Sequence, residues 1–261
     1  MFSSEKRQIL KNNQLAEVIC QLRFPAILMI DQTPPAEFQE LIRSEFPQYA
    51  VRKEVPAPRI SGVPGNMTLE NQPPTTNYQF ISEDGIWRVN LTSTFISLAC
   101  KRYTRWEEFA KKLDKPLVAF IQTYHPAYFQ RIGLRYLNFI SRNSLNLEGT
   151  PFRDLIESHF LGPLALEDVA EQSALRCNVD TELQIKGGCR VKIHAGPGRI
   201  KVGGKEDPEV RFIFDQDLYM GGNVPVTHSV NVLETLHSQA YSIFRSAITD
   251  ALLDAMEPYN L

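Results

Sequence analysis

Residues 129–140 read FQRIGLRYLNFI, and the alternation in that stretch decides the fold class. In an extended chain, successive side chains point to opposite faces. Ile132, Leu134 and Tyr136 then share one apolar face. Arg131, Gly133 and Arg135 share the other, and Asn138 joins them only if a bulge shifts the register. A strand that is apolar on one side and charged on the other fits an antiparallel sheet covered on one face by helices.

Working outward, the same pattern appears at residues 15–24, LAEVICQLRF, where Leu22 and Phe24 oppose Gln21 and Arg23. It appears again at Trp87-Arg88-Val89-Asn90-Leu91-Thr92. Between these lie a helix capped by Thr33, with Phe38, Leu41, Ile42 and Phe46 at helical spacing, and a short strand at 49–55. Residues 56–77 hold five prolines and no apolar period, which predicts a loop. Residues 78–82 and 86–92 read as a hairpin turning at Glu83-Asp84-Gly85, and 95–103 as a further strand. Thr104-Arg105-Trp106-Glu107 has the form of a capping box. It opens a helix with Trp106, Phe109, Leu113, Leu117, Phe120, Ile121 and Tyr124 on one face, which Pro116 is expected to kink or split.

From residue 129 the order starts again. A short helix is expected at 150–161, strands at 174–185, 189–195 and 210–219, a possible short one at 199–202, and a long helix from Asn231 through Leu252. Each half therefore reads strand, helix, three or four strands, long helix. The expected architecture is α+β, with residues 1–127 and 128–261 as two similar halves related by an internal duplication. Leu22-Arg23-Phe24 matches Leu134-Arg135-Tyr136, a thin identity, so the duplication rests on element order.

Composition bounds the rest. The 261 residues are 43% hydrophobic, with 28 basic against 30 acidic residues and a formal net charge of −2. A chain of this length builds a core without metal or disulfide, and near-neutral charge argues against a nucleic-acid binder. Cys20, Cys100, Cys177 and Cys189 form no C-x-x-C pair and read as reduced thiols. The polar start MFSSEKRQIL lacks a signal-peptide core, and no apolar run approaches the roughly 20 residues that span a bilayer, so a cytoplasmic protein without membrane contact is expected.

Several segments together resemble a sporadically distributed bacterial protein family of unknown function. They are Leu15-Ala16-Glu17-Val18 with Arg23-Phe24-Pro25, the 87–92 strand, Tyr103 with Trp106-Glu107 and Phe109, Arg131 through Asn138, and Phe244-Arg245-Ser246-Ala247-Ile248-Thr249-Asp250. That resemblance implies no activity and no assigned site. The repeated order is also similar, in topology alone, to the saddle of TATA-box-binding protein; fold does not carry function.

Alternation places Arg23, Arg88, Asn90, Arg131 and Arg135 on the sheet face that the helices leave uncovered. Arginine suits bidentate capture of carboxylate or phosphate, so this face is the candidate site for an acidic ligand or partner. The alternative is that the arginines pair with Glu17 and other strand carboxylates. A second candidate is KGGCRVKIHAGPGRIKVGGK, residues 186–205, with six basic residues, six glycines and no acid. There Lys186, Arg190, Lys192, Arg199 and Lys201 could contact an anion. Its spacing fits no nucleotide-binding motif, and Gly196-Pro197-Gly198, Gly187-Gly188 and Gly203-Gly204 read more simply as turns.

His125, His159, His194, His228 and His237 form no metal-ligand spacing, and no G-x-S-x-G elbow is present. No metal or cofactor is implied. Asp215 and Asp217 share a strand face, and Trp106 belongs to the core. The expected function is recognition: a protein partner, a second copy of the chain, or an acidic ligand. The alternatives are an enzyme whose catalytic residues are dispersed and a weak nucleic-acid binder. A deep pocket with shifted titratable groups would favour the enzyme, and a shallow arginine-lined groove would favour binding.

Overall fold

Period-2 alternation builds the centre of the molecule. A computed structural model describes residues 6–55, 59–63, 66–70 and 74–260. Nine strands form one sheet: β1 (Leu15–Arg23), β2 (Gln48–Glu54), β3 (Thr75–Ile81), β4 (Trp87–Leu91), β5 (Phe95–Cys100), β6 (Phe129–Ile140), β7 (Val179–Gln184), β8 (Arg190–Gly198) and β9 (Arg211–Val224). Their order is β7-β8-β9-β6-β1-β5-β4-β3-β2, and every pairing is antiparallel. The α+β class is as the alternation predicts.

Five helices pack against this sheet: α1 (Leu28–Gln32), α2 (Ala36–Ile42), α3 (Trp106–Tyr124), α4 (Ser229–Arg245) and α5 (Asp250–Ala255). Among the described residues no helix is long and apolar enough to cross a membrane. In the first half β1 is followed by a meander that returns to its side, giving β1-β5-β4-β3-β2. In the second, β6 is treated likewise, giving β6-β9-β8-β7. The halves join where β1 and β6 pair, with Leu22 opposite Ile132 and Arg23 opposite Arg131.

The inward faces supply the core. Val18, Cys20, Leu22 and Phe24 alternate inward from β1 and its end, and Ile132, Leu134, Tyr136 and Ile140 from β6. Helix α3 adds Phe109 and Phe120, the latter with its ring 4.6 Å from Phe24. All four cysteines are unpaired, and burial pushes the Cys20 thiol up to about 12.

Several local expectations are overturned for identifiable reasons. Thr33 does not cap the first helix: it ends α1, and α2 starts at Ala36 with Pro35 before it. The expected loop at 56–77 contains a two-stranded pairing, Arg59–Val63 with Asn66–Glu70, and β3 already begins at Thr75. Pro56, Pro58, Pro64, Gly65 and Pro73 lie outside the described residues. The capping box does not close, since the Thr104 hydroxyl donates to the Glu108 carboxylate and accepts from no backbone N–H of the helix. Pro116 neither ends nor splits α3, because its ring is buried and core packing offsets the missing donor.

The expected helix at 150–161 is a pair of 3₁₀ turns, Phe152–Asp154 and Ser158–Phe160. The same contact interrupts the long C-terminal helix. Glu157 N donates to Ala247 O at 2.9 Å, and Thr249 N to Leu155 O at 3.0 Å. Those long-range backbone bonds hold both segments extended, so α4 stops at Arg245 and α5 starts afresh with the Thr249 hydroxyl accepting from Leu252 N. Gly196-Pro197-Gly198 is not a turn either: it continues β8 opposite Ile213, Phe212 and Arg211. A Cβ at Gly196 would lie 2.3 Å from Cys177 O, so this glycine serves close approach of backbones.

Candidate functional site

The register puts Arg23, Arg88, Arg131 and Arg135 on the sheet face turned away from the helices. Arg23 stands opposite Arg131, while Arg88 and Arg135 share a row that runs through Ala99 and Ile19. At roughly 4.8 Å per strand, the last two backbones are about 14 Å apart.

Most of these cations already have acids. Arg131 Nη2 donates to both carboxylate oxygens of Asp217, at 2.7 and 2.8 Å, and its guanidinium lies 4.6 Å from the Tyr219 ring centre. Gly133 makes that pose possible, since a Cβ there would sit 2.2 Å from Arg131 Nη1. Arg135 grips Asp215 through Nε and Nη2, and that partner holds its pKa above the ordinary value. Arg88 is held loosely, 3.6 Å from Glu17, with Nε buried and without a partner among the described residues. Arg23 is exposed and has no carboxylate among the described residues. Asn90 faces the same side but is buried, accepting from Gln79 at 3.1 Å and donating to Ser97 at 3.1 Å. Asn138 does not join this set: the register shift beside it falls between Leu15 and Glu17 on β1 and leaves β6 in step with β9, so Asn138 faces the helices and is 3% exposed.

The basic segment does not form one cradle. Lys186 sits in the β7–β8 turn, where its carbonyl accepts from Gln239 on α4. Arg190 and Lys192 stand on β8, the latter 3.9 Å from Glu182. Arg199 reaches Glu206 at 3.4 Å, and Lys201 belongs to a separate short hairpin. Next to Arg135 a shallow concavity mixes Lys192 and His194 with Asp180, Glu182, Asp215 and Asp217. The face is therefore a lattice of both signs.

The helix side holds a different constellation. Where the halves meet, a half-open cavity of about 90 Å³ is lined by the N-terminal segment, the residues before α3, the inward faces of β6 and β9, and α4. Each wall follows from periodicity. Tyr136 and Asn138 occupy inward positions of β6, and Gln216 continues the inward row Phe212, Phe214 and Leu218 on β9. His237, Ala240, Tyr241 and Phe244 come from consecutive turns of α4.

A hydrogen-bonded chain runs along this cavity. Arg7, paired with Glu107, places Nη1 3.2 Å from His237 Nε2, and His237 Nδ1 lies 2.7 Å from the Tyr136 hydroxyl. Arginine only donates, so Nε2 accepts and Nδ1 carries the proton given to Tyr136. The Tyr103 ring stands edge-on to Tyr136, 5.8 Å away. Trp106 stacks on His237 at 4.5 Å and 9°, and its indole N–H donates to Glu234 at 2.8 Å.

Burial, then the Arg7 charge, depress the His237 pKa to about 3, so the ring is neutral at pH 7. Burial raises both tyrosines, Tyr136 well above the ordinary value. Two groups on this cavity have no partner among the described residues: Gln216 Oε1, on a residue only 2% exposed, and the Tyr241 hydroxyl.

None of these groups is in the sequence-derived candidate set. One signal was present, though: Asn138 and Gln216 are polar at inward strand positions, and His237 and Tyr241 interrupt the apolar stripe of α4. Among the described residues no group of three or more His, Cys, Asp or Glu is placed to hold a metal ion. No protein-family model matches this chain, and no curated protein matches it.

Proposed function

We propose that this protein binds a small uncharged ligand in the cavity between its halves. The observation that carries the reading is the pair of buried polar atoms that face one cavity without partners among the described residues. An orphaned buried acceptor costs about 1–3 kcal/mol, and it persists where a ligand completes it. Recognition suits the site better than proton transfer. A general acid or base works best with a pKa near the operating pH, whereas His237 is held neutral and the tyrosines protonated.

Gln216→Leu separates this reading from a structural role. Removing the orphan should leave the ligand-free protein as stable as the wild type, or up to about 1 kcal/mol more stable, in urea unfolding. The same variant should no longer be stabilised by small-molecule ligands that raise the wild-type melting temperature. A loss of more than about 1 kcal/mol in the ligand-free variant would show that the amide serves the fold.

A second reading, recognition of an acidic partner on the sheet face, keeps one specific observation. Arg23 is exposed beside Arg131 with no carboxylate of its own among the described residues. A polyglutamate peptide should then bind with affinity that falls with salt, and Arg23→Glu should weaken it about tenfold, as expected for loss of a charge-assisted contact. Equal binding by the variant would remove this face from consideration.

A further inference from the structure

The hydrogen bonds in the cavity have a direction, and that direction selects a ligand chemistry. Arg7 donates to His237 and His237 donates to Tyr136, with the Tyr103 ring standing edge-on beside Tyr136. With Tyr136 already accepting from His237, the two phenols can share at most one further bond, so one of their protons is left over, and Tyr103, the part-exposed member of the pair, is placed to offer it to the cavity. Aligned bonds polarise one another, which makes the remaining proton a stronger donor than an isolated phenol. It calls for an acceptor. Gln216 Oε1 has the opposite need, since a carbonyl oxygen can only accept and no donor among the described residues reaches it.

The remaining surface excludes charge. Leu10, Leu15 and Phe244 line the cavity, and its two arginines, Arg7 and Arg105, are already paired with Glu107 and Glu108. An ion placed there would lose hydration without gaining a free counter-charge. About 90 Å³ leaves room for several waters or one small ring compound.

Resting on the cavity reading above, we infer that the ligand class is a small, neutral cyclic amide or imide, with its carbonyl taken by Tyr103 and an N–H given to Gln216. A ketone fills only the first position and an amine only the second. A compound carrying both groups side by side satisfies donor and acceptor together.

The test uses the full chain with uracil, hydantoin and glutarimide as probes, followed by NMR shifts of cavity residues and by calorimetry. At least one should bind saturably. Tyr103→Phe and Gln216→Leu should each weaken it at least tenfold, and 1,3-dimethyluracil, which has lost both N–H groups, should bind at least tenfold more weakly than uracil. Tyr103 is part-exposed, so its phenylalanine variant is expected to fold, and its amide spectrum verifies this. Dimethyluracil binding as well as uracil, or inorganic phosphate binding in preference to all three probes, overturns the inference. Toluene shifting cavity residues while the three probes do not also overturns it, but leaves the cavity a binding site. If none of these compounds perturbs the cavity at millimolar concentration, both the ligand class and the cavity reading fall.

Discussion

Trp106→Ala should lose about 3–5 kcal/mol of folding stability, the largest effect of any single substitution near the cavity. The indole is 5% exposed, stacks on His237 and donates to Glu234, so it ties α3 in the first half to α4 in the second. Truncation removes the ring's buried area, opens a void and leaves the Glu234 carboxylate without its donor. Trp106→Phe separates these contributions. It retains an aromatic face for His237 but drops the N–H, and should cost about 1–2 kcal/mol. Urea unfolding followed by far-UV circular dichroism measures both. If alanine costs under about 1.5 kcal/mol, the stack does not join the halves as described.

Stability should also fall as pH drops below about 6.5, with His237 as the cause. In the unfolded chain a histidine protonates near 6.5, while in the folded protein burial and Arg7 hold His237 to about 3. Above 6.5 neither state binds the proton and the residue makes no pH-dependent contribution. Between those values the unfolded state takes up a proton that the folded state refuses, so stability declines by at most about 1.4 kcal/mol per pH unit. The window from 6.5 to 4.5 isolates the effect, because the lowered carboxylates Glu45 and Glu257 titrate below it. His237→Gln should flatten that part of the profile, at the cost of a weaker bond to Tyr136. An unchanged slope in the variant would place the pH dependence elsewhere.

The arginine face shows how far alternation reaches. Register alone set Arg23, Arg88, Arg131 and Arg135 on one side of the sheet. It did not say that Asp215 and Asp217, which share that side two residues apart, would neutralise two of them. Those carboxylates come from β9, some 80 residues away in sequence from β6, and only strand order made the strands neighbours. The same holds for the missed cavity. Asn138 was legible as a polar residue in an inward position, yet its meaning depended on Gln216, His237 and Arg7 arriving at one place. The 3₁₀ turns after residue 150 follow the same logic, because local propensity lost to backbone bonds with residues 247–249.

By itself the sequence determined the periodicities: period 2 gave the strands and the face each side chain takes, and helical spacing gave α3 and most of α4. Those are local consequences of backbone geometry and need no knowledge of neighbours. The tertiary structure alone decided which carboxylate meets which arginine, where helices stop for long-range pairing, and that four polar residues from distant segments enclose one cavity. Such contacts arise from the pairing of β1 with β6 and the placing of α4 across β6 and β9, which no window of residues encodes.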